Sequence, residues 1–290
     1  MSENDFDPIS FSMEMGALFY GDSDGAFFRY DDISKCRKIK TPYYPIDFYD
    51  KRGINVPELS LGEHRILSVD VALMASKKHN NDAAALTINV ALPDGNQYTS
   101  NIVYMETFEG MTTDELGLTI MRYFYHYKCT DLVLDSSGNG LGVYDFIIKE
   151  VYDPLTGQTY EALCAINDDN MASRCKVKGA RKCVWCIKAN ADFNSNAATL
   201  LRAGFKNGNI NLLVSEFDAE ETIKKTKGYS KLSAKEQTVL SLPYIQTSMA
   251  INEMINLEHE INNNKVKLKE KSGMRKDRFS SLEYSYYVVQ

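Results

Sequence analysis

Three aspartates stand where a carboxylate needs a reason. Asp70 ends "RILSVD", a run whose Leu67 and Val69, with Val71 beyond, mark one apolar face of a strand. Asp135 ends the apolar "LVLD" and leads into a glycine-rich turn, "SSGNG". Asp277 opens the last helix, inside "GMRKDRF". Each has a plain structural explanation. Asp70 could face solvent, Asp135 could cap the adjoining turn, and Asp277 could favour a helix N-terminus by about 0.3–1 kcal/mol. Taken together the three suggest more. A buried, unpaired carboxylate is costly enough to neutralise or to find a cation. Two carboxylates about 4 Å apart repel by roughly 4 kcal/mol at a protein-like dielectric, so a pair on neighbouring strands calls for a shared proton or a divalent ion. If the last helix laid its first turn across those strand ends, three carboxylates would surround hard cations with oxygen ligands. Two ions about 3.5–4 Å apart can clamp the attacking and leaving oxygens of an in-line phosphodiester displacement.

These acids need a sheet beneath them. Strands are expected near 65–72, 83–91 and 100–107, with short polar connections that make an antiparallel meander. A helix over 113–127 follows, capped by Thr112 or Thr113 with Glu115 in its first turn. Next come the buried strand "DLVLD", a helix from about Leu141 to Val151, a strand near "EALCAIN" and a cysteine-bearing strand. "FNSNAATLLRAGFKNG" reads as a capped helix ended by glycine. A long amphipathic helix is expected over roughly 244–262, then the strand-like "KVKLKEK". Phe279, Leu282, Tyr286 and Val289, at 3-4-3 spacing, give the final helix one apolar face. Three antiparallel strands, then helix, strand, helix, strand, is the order of the RNase H-like fold. That is an α/β class, with a central mixed sheet and helices on both faces. The segment "FDAEETIKKTKGYSKLSAKEQTV" suggests no role.

The first 60 residues read differently. "GALFYGDSDGAFFRYDD" suggests a hairpin closed by a Gly-Asp-Ser-Asp-Gly turn, and a Pro/Tyr-rich connector comes after it. The expected organisation is a linker or tail of a preceding domain over 1–60, and one α/β domain over 61–290.

Charge and composition narrow the classes. The acidic start "MSENDFDPIS" lacks the apolar core of a secretory signal, and no apolar run approaches the roughly 18 residues of a membrane span. A soluble intracellular protein is expected, with its six cysteines reduced. Cys183 and Cys186 resemble half of a metal clamp, but strand positions three apart face opposite ways, which opposes chelation. The net charge of −6 argues against a wholesale nucleic-acid coat. Yet Arg174, Lys176, Lys178, Arg181, Lys182 and Lys188 share one stretch without an acid, and a second basic cluster surrounds Asp277. Such segments could track phosphates. Lys77, Lys78, Arg181 and Lys182 are candidate backbone contacts, and Lys276 and Arg278 would sit at the rim of the acidic site. A dinucleotide reading of Gly138, Gly140 and Gly142 fails, because Val143 stands where the third glycine belongs.

Three stretches, "LSVDVALMASKKHNNDAAAL", "LVLDSSGNGLG" and "RKDRFSSLEYSYY", together resemble the nuclease domain of phage large terminase subunits. The resemblance spans about residues 60–290, with the motifs in the family's order. It implies an endonuclease in which Asp70, Asp135 and Asp277 bind two Mg²⁺ or Mn²⁺ ions. Asp82, in "HNND", matches a further acidic position of some members. It also implies concatemeric double-stranded DNA as substrate, cut during viral genome packaging in the host cytoplasm. The implied partners are the terminase ATPase domain, the portal and the small terminase subunit. Residues 1–60 are similar to the junction leaving that ATPase domain, but no Gly-x-x-x-x-Gly-Lys-Ser/Thr loop occurs, so the motor is expected outside this sequence. Another nuclease of the same fold, such as a Holliday-junction resolvase, is the nearest rival. An actin-like or sugar-kinase-like ATPase would need a Gly/Thr-rich loop after the first strand, and "DVALMASKKHNND" has neither residue. A noncatalytic interaction module would leave the three acids without a joint explanation.

Overall fold

The computed structural model describes residues 26–72, 83–226 and 228–290. In chain order its elements begin with α1 (Tyr30–Ser34), β1 (Arg37–Ile39), α2 (Ile46–Arg52), β2 (His64–Asp70), β3 (Ala84–Asp94) and β4 (Gln97–Phe108). The middle of the chain forms α3 (Thr113–His126), β5 (Asp131–Asp135), α4 (Asn139–Ile147), β6 (Val151–Asp153), β7 (Gln158–Tyr160) and β8 (Leu163–Ala165). Next are α5 (Asp169–Arg174), β9 (Arg181–Ile187), α6 (Ala191–Asn207), β10 (Ile210–Leu213) and α7 (Glu216–Lys224). The chain closes with α8 (Ala234–Ile255), β11 (Glu258–Asn262), β12 (Lys265–Lys269) and α9 (Asp277–Val289).

Eight strands form one mixed sheet in the order β1-β10-β4-β3-β2-β5-β9-β8. β4, β3 and β2 are the expected antiparallel meander, and β5, β9 and β8 continue from β2 in parallel. An antiparallel trio extended by parallel strands on the side of the first one is the RNase H-like topology. The fold is RNase H-like.

Period-two alternation divides the sheet's faces. Leu67, Val69, Leu86, Ile88, Leu132 and Leu134 enter the core formed with α3 and α4. Ile66, Ala91, Val133 and Ile187 turn the other way, toward Tyr284 of α9. α9 meets this second face with the buried serines Ser280, Ser281 and Ser285. Small side chains let the helix approach closely, and Ser281 shares a 2.5 Å hydrogen bond with Thr87 of β3. Phe279, Leu282 and Tyr286 enter a second core with α6 and α8, as their spacing predicts. Thr112 and Glu115 cap α3 reciprocally.

Several elements differ from expectation. Residues 26–60 share the sheet and the core with the rest of the chain. β1 hydrogen-bonds to β10, and Phe27, Phe28, Ile33, Tyr43 and Tyr49 are buried. Tyr30–Ser34 is helical where a hairpin strand was expected, and residues 16–25 of that stretch lie outside the described residues. The long helix runs over Ala234–Ile255, because Ser233 and Glu236 form a capping box and Pro243 is carried inside the helix. The stretch expected as its last turns is instead β11, which pairs with β12 across Asn263 and Asn264. Both asparagines have positive φ, as a tight hairpin turn requires. α4 starts and stops earlier than expected, and Val151 opens the small β6–β7 hairpin. Residues 216–224 and the start of α8 account for most of the segment that suggested no role. Among the described residues, no helix is long and apolar enough to cross a membrane.

Candidate active site

β2 and β5 end side by side. Val69 pairs with Leu134, so Asp70 and Asp135 reach the same sheet edge on strands about 4.8 Å apart. Alternation turns both away from the α3–α4 core and onto the face that α9 covers. Asp70 is therefore half-buried under a helix rather than directed into open solvent. Asp277 arrives from that helix. Its Oδ2 accepts the Ala83 N–H at 3.4 Å, two residues from Ala85, which pairs with Asp70. Three carboxylates from β2, β5 and α9 thus gather at one edge of the sheet.

The glycine-rich turn fixes the second of them. Asp135 Oδ1 accepts the Ser137 N–H at 3.0 Å. The Ser136 N–H and hydroxyl both donate to the Ile187 carbonyl at 3.0 Å, tying the turn to β9. At Gly140 a Cβ would lie 1.7 Å from the Asp135 carbonyl oxygen, so only glycine lets α4 start this close to the strand end.

Electrostatics register the crowding. Burial pushes the Asp70 carboxyl up to about 7, and the charges of Asp277 and Asp135 add to it. The nearby Ser280 hydroxyl and Lys276 offset only part of this. Asp277 is raised to about 6 by burial and by Glu253, against the Ala83 N–H, Arg275 and Arg278. The Tyr284 hydroxyl is pushed up by burial and by the charges of Asp70 and Asp135.

One acid escaped the sequence reading. Glu283 of α9 is 4% exposed, and its Oε1 has no hydrogen-bond partner among the described residues. Burial holds its carboxyl well above the usual range, with Lys276 lowering it and Asp70 raising it. Its signal in the sequence is slight: a lone glutamate between Leu282 and Tyr284, in a helix that turns out to be buried on most sides.

The donor set suits a hard divalent cation, being all carboxylate oxygen without imidazole or thiolate. Among the described residues, no three His, Cys, Asp or Glu side chains meet in a ready-made ligand shell. Asp135 and Asp277 each accept a backbone N–H on one oxygen, which leaves the other oxygen for a ligand.

The basic candidates divide. Lys276 stands next to Asp277, close enough to Asp70 and Glu283 to lower both, and pairs with Glu270 at 2.9 Å. Arg278 does not reach the rim. It is 4% exposed and locked to Glu253, so it is not available to DNA. Arg181 and Lys182 are exposed, but they begin β9 while Ile187, at its other end, pairs with Asp135. Six residues at about 3.3 Å each put them roughly 20 Å from the acids. Lys188, immediately after β9, is the cation of that stretch at the acidic edge, loosely paired with Asp168 at 3.8 Å. Lys77, Lys78 and Asp82 lie outside the described residues.

Cys183 and Cys186 both enter the α3–α4 core, not opposite faces as simple alternation predicts. The β8–β9 register slips beside Cys183, between the pairs Cys164–Lys182 and Ala165–Val184. Burial pushes both thiols up to about 12.

No family model and no curated protein matches the sequence. Solved structures do. The chain is similar to large terminase nucleases. One is the large terminase nuclease from thermophilic phage G20c with bound cobalt, at 11% identity over 91% of this chain and 98% of that one, with a TM-score of 0.49. The same nuclease with bound magnesium gives 12% identity, the same coverage and a TM-score of 0.48. The nuclease domain of the large terminase subunit gp2 of bacterial virus Sf6 gives 9% identity over 90% and 98%, with a TM-score of 0.47.

Proposed function

We propose that this chain is a divalent-metal-dependent DNA endonuclease domain of a viral packaging terminase, with Asp70, Asp135 and Asp277 as its metal-binding catalytic carboxylates. One observation carries the reading: acids from β2, β5 and α9 gather at one sheet edge, and burial with mutual repulsion holds Asp70 up to about 7. When bound, two Mg²⁺ or Mn²⁺ ions would supply positive charge to this cluster and Lewis acidity for phosphodiester hydrolysis.

The chain's own residues do the positioning. Ser280, on the first turns of α9, lies beside Asp70 and lowers its carboxyl. The Ser136–Gly140 turn holds Asp135, and the first turn of α9 holds Asp277. α9 also shields one side of the cluster from water, which strengthens every charge interaction there. Lys276 and Lys188 flank this edge and are the cations that would meet a phosphate backbone, positioning DNA rather than reading its bases. Double-stranded DNA as substrate, a role in genome packaging within the host cytoplasm, and a terminase ATPase domain, portal and small subunit as partners all belong to the same proposal.

Plasmid digestion with Mg²⁺, Mn²⁺, Ca²⁺ or EDTA tests it. Nicking or linearisation in Mg²⁺ or Mn²⁺, abolished by EDTA, is expected. Cleavage that EDTA leaves intact, or none with any metal from a folded protein, would overturn it.

A further inference from the structure

Asp277 owes its place to the first turn of α9, and a buried ion pair ties that turn down. Glu253, in the last turn of α8, accepts Arg278 Nη1 on Oε1 at 2.8 Å and the Phe279 backbone N–H on Oε2 at 3.0 Å. Arg278 Nε donates to Gln246 Oε1 at 2.6 Å, and its Nη2 donates to Thr107 Oγ1 at 3.3 Å. Both charged partners are nearly sealed from solvent.

Stability alone is a poor reason for such a pair. Burying two charges costs as much as their attraction returns, and an apolar pair of like volume often serves a fold as well. The two helices are already joined by Ile251, Met254, Phe279 and Leu282 in a common core. What the ion pair adds is direction. A helix's first amides lack intrahelical acceptors, and Glu253 takes the one that comes after Arg278. Arg278 in turn grips Thr107, which pairs with Ala85, the residue opposite Asp70. The guanidinium fork thus links α8, the α9 terminus and the sheet edge, immediately C-terminal to Asp277.

We propose that Glu253 and Arg278 are positioning residues that hold the Asp277 carboxylate against the ends of β2 and β3, where it helps to bind a divalent cation. The inference rests on the reading of Asp277 as a metal ligand.

Calorimetric Mn²⁺ titration, beside thermal unfolding without metal, tests this in wild type, Asp277→Ala, Glu253→Ala and the double variant. Glu253→Ala should weaken Mn²⁺ binding about 10–100-fold, the usual cost of losing a residue that orients a ligand. On the Asp277→Ala background it should weaken binding no further, because it acts through Asp277. Arg278→Lys keeps a cation opposite Glu253 and so favours the fold, but loses the fork, and it should behave likewise. A merely structural pair would lower the melting temperature and leave Mn²⁺ affinity unchanged. Wild-type affinity in folded Glu253→Ala or Arg278→Lys, or equal losses on both backgrounds, would overturn the inference. If Asp277→Ala weakens binding while Glu253→Ala does not, only the positioning role falls. If Asp277→Ala itself binds Mn²⁺ like wild type, Asp277 is no ligand and both ideas fall together.

Discussion

Asp70 sits among charges of its own sign, and this fixes how stability must depend on pH. Its carboxyl titrates near 3.8 when unfolded and is raised to about 7 in the fold. Between those values the folded chain binds more protons than the unfolded one, so stability falls as pH rises through that window. Asp277, raised to about 6, acts in the same direction. Asp70→Asn should therefore raise the melting temperature in EDTA at pH 8, change it far less at about pH 4, and abolish cleavage. Thermal unfolding at the two pH values checks this, and a variant that melts lower at pH 8 or still cuts normally would mark Asp70 as structural. The three aspartates were legible in the sequence because a charge that ends an apolar run, or opens a buried helix, is a chemical anomaly by itself. Glu253 was not. Its partner lies 25 residues away on another helix, and nothing local marks a glutamate whose cation is supplied by tertiary packing.

At the scale of elements, the short turn after β5 matters more than its length suggests. A Cβ at Gly140 would collide with backbone, which cannot swing aside as a side chain can. Gly140→Ala should therefore push α4 away from the strand end, destabilise by about 1–3 kcal/mol as overpacking does, and cut nuclease activity by displacing Asp135. Denaturant unfolding together with plasmid digestion checks both effects, and an active, equally stable variant would contradict the close approach. Alternation and turn chemistry gave the meander, the buried β5 and the glycine-rich turn. The misplaced helix shows the competing force. A start near 244 was expected, but the capping box at Ser233 and Glu236 begins the helix ten residues earlier and carries Pro243 within it. The bulge beside Cys183 was equally hidden, since a register slip is set by the neighbouring strand.

The whole molecule carries two further predictions. Residues 26–60 are built into the fold, so a chain begun at residue 61 should be unstable. Phe28 and Ile33 are essentially sealed in the core. Each such side chain contributes about 1.5–3 kcal/mol, against a total stability of about 5–15 kcal/mol. A cooperative thermal transition at the full-length temperature would refute this. The second concerns DNA. Affinity should fall steeply with added salt, and Lys276→Ala or Lys188→Ala should each lower the salt slope by about one. Arg181→Ala and Lys182→Ala, at the far end of β9, should leave it unchanged. Fluorescence anisotropy with duplex DNA over a salt series separates the two pairs. If Arg181 and Lys182 prove to be the pair that matters, DNA lies along the other edge of the sheet and away from the acids.

The most direct measurement is anomalous diffraction from crystals soaked in Mn²⁺. Manganese density between Asp70, Asp135 and Asp277, lost in Asp70→Asn, is expected. Manganese bound elsewhere, with all three carboxylates free of it, would contradict a metal-dependent nuclease centre at this edge of the sheet.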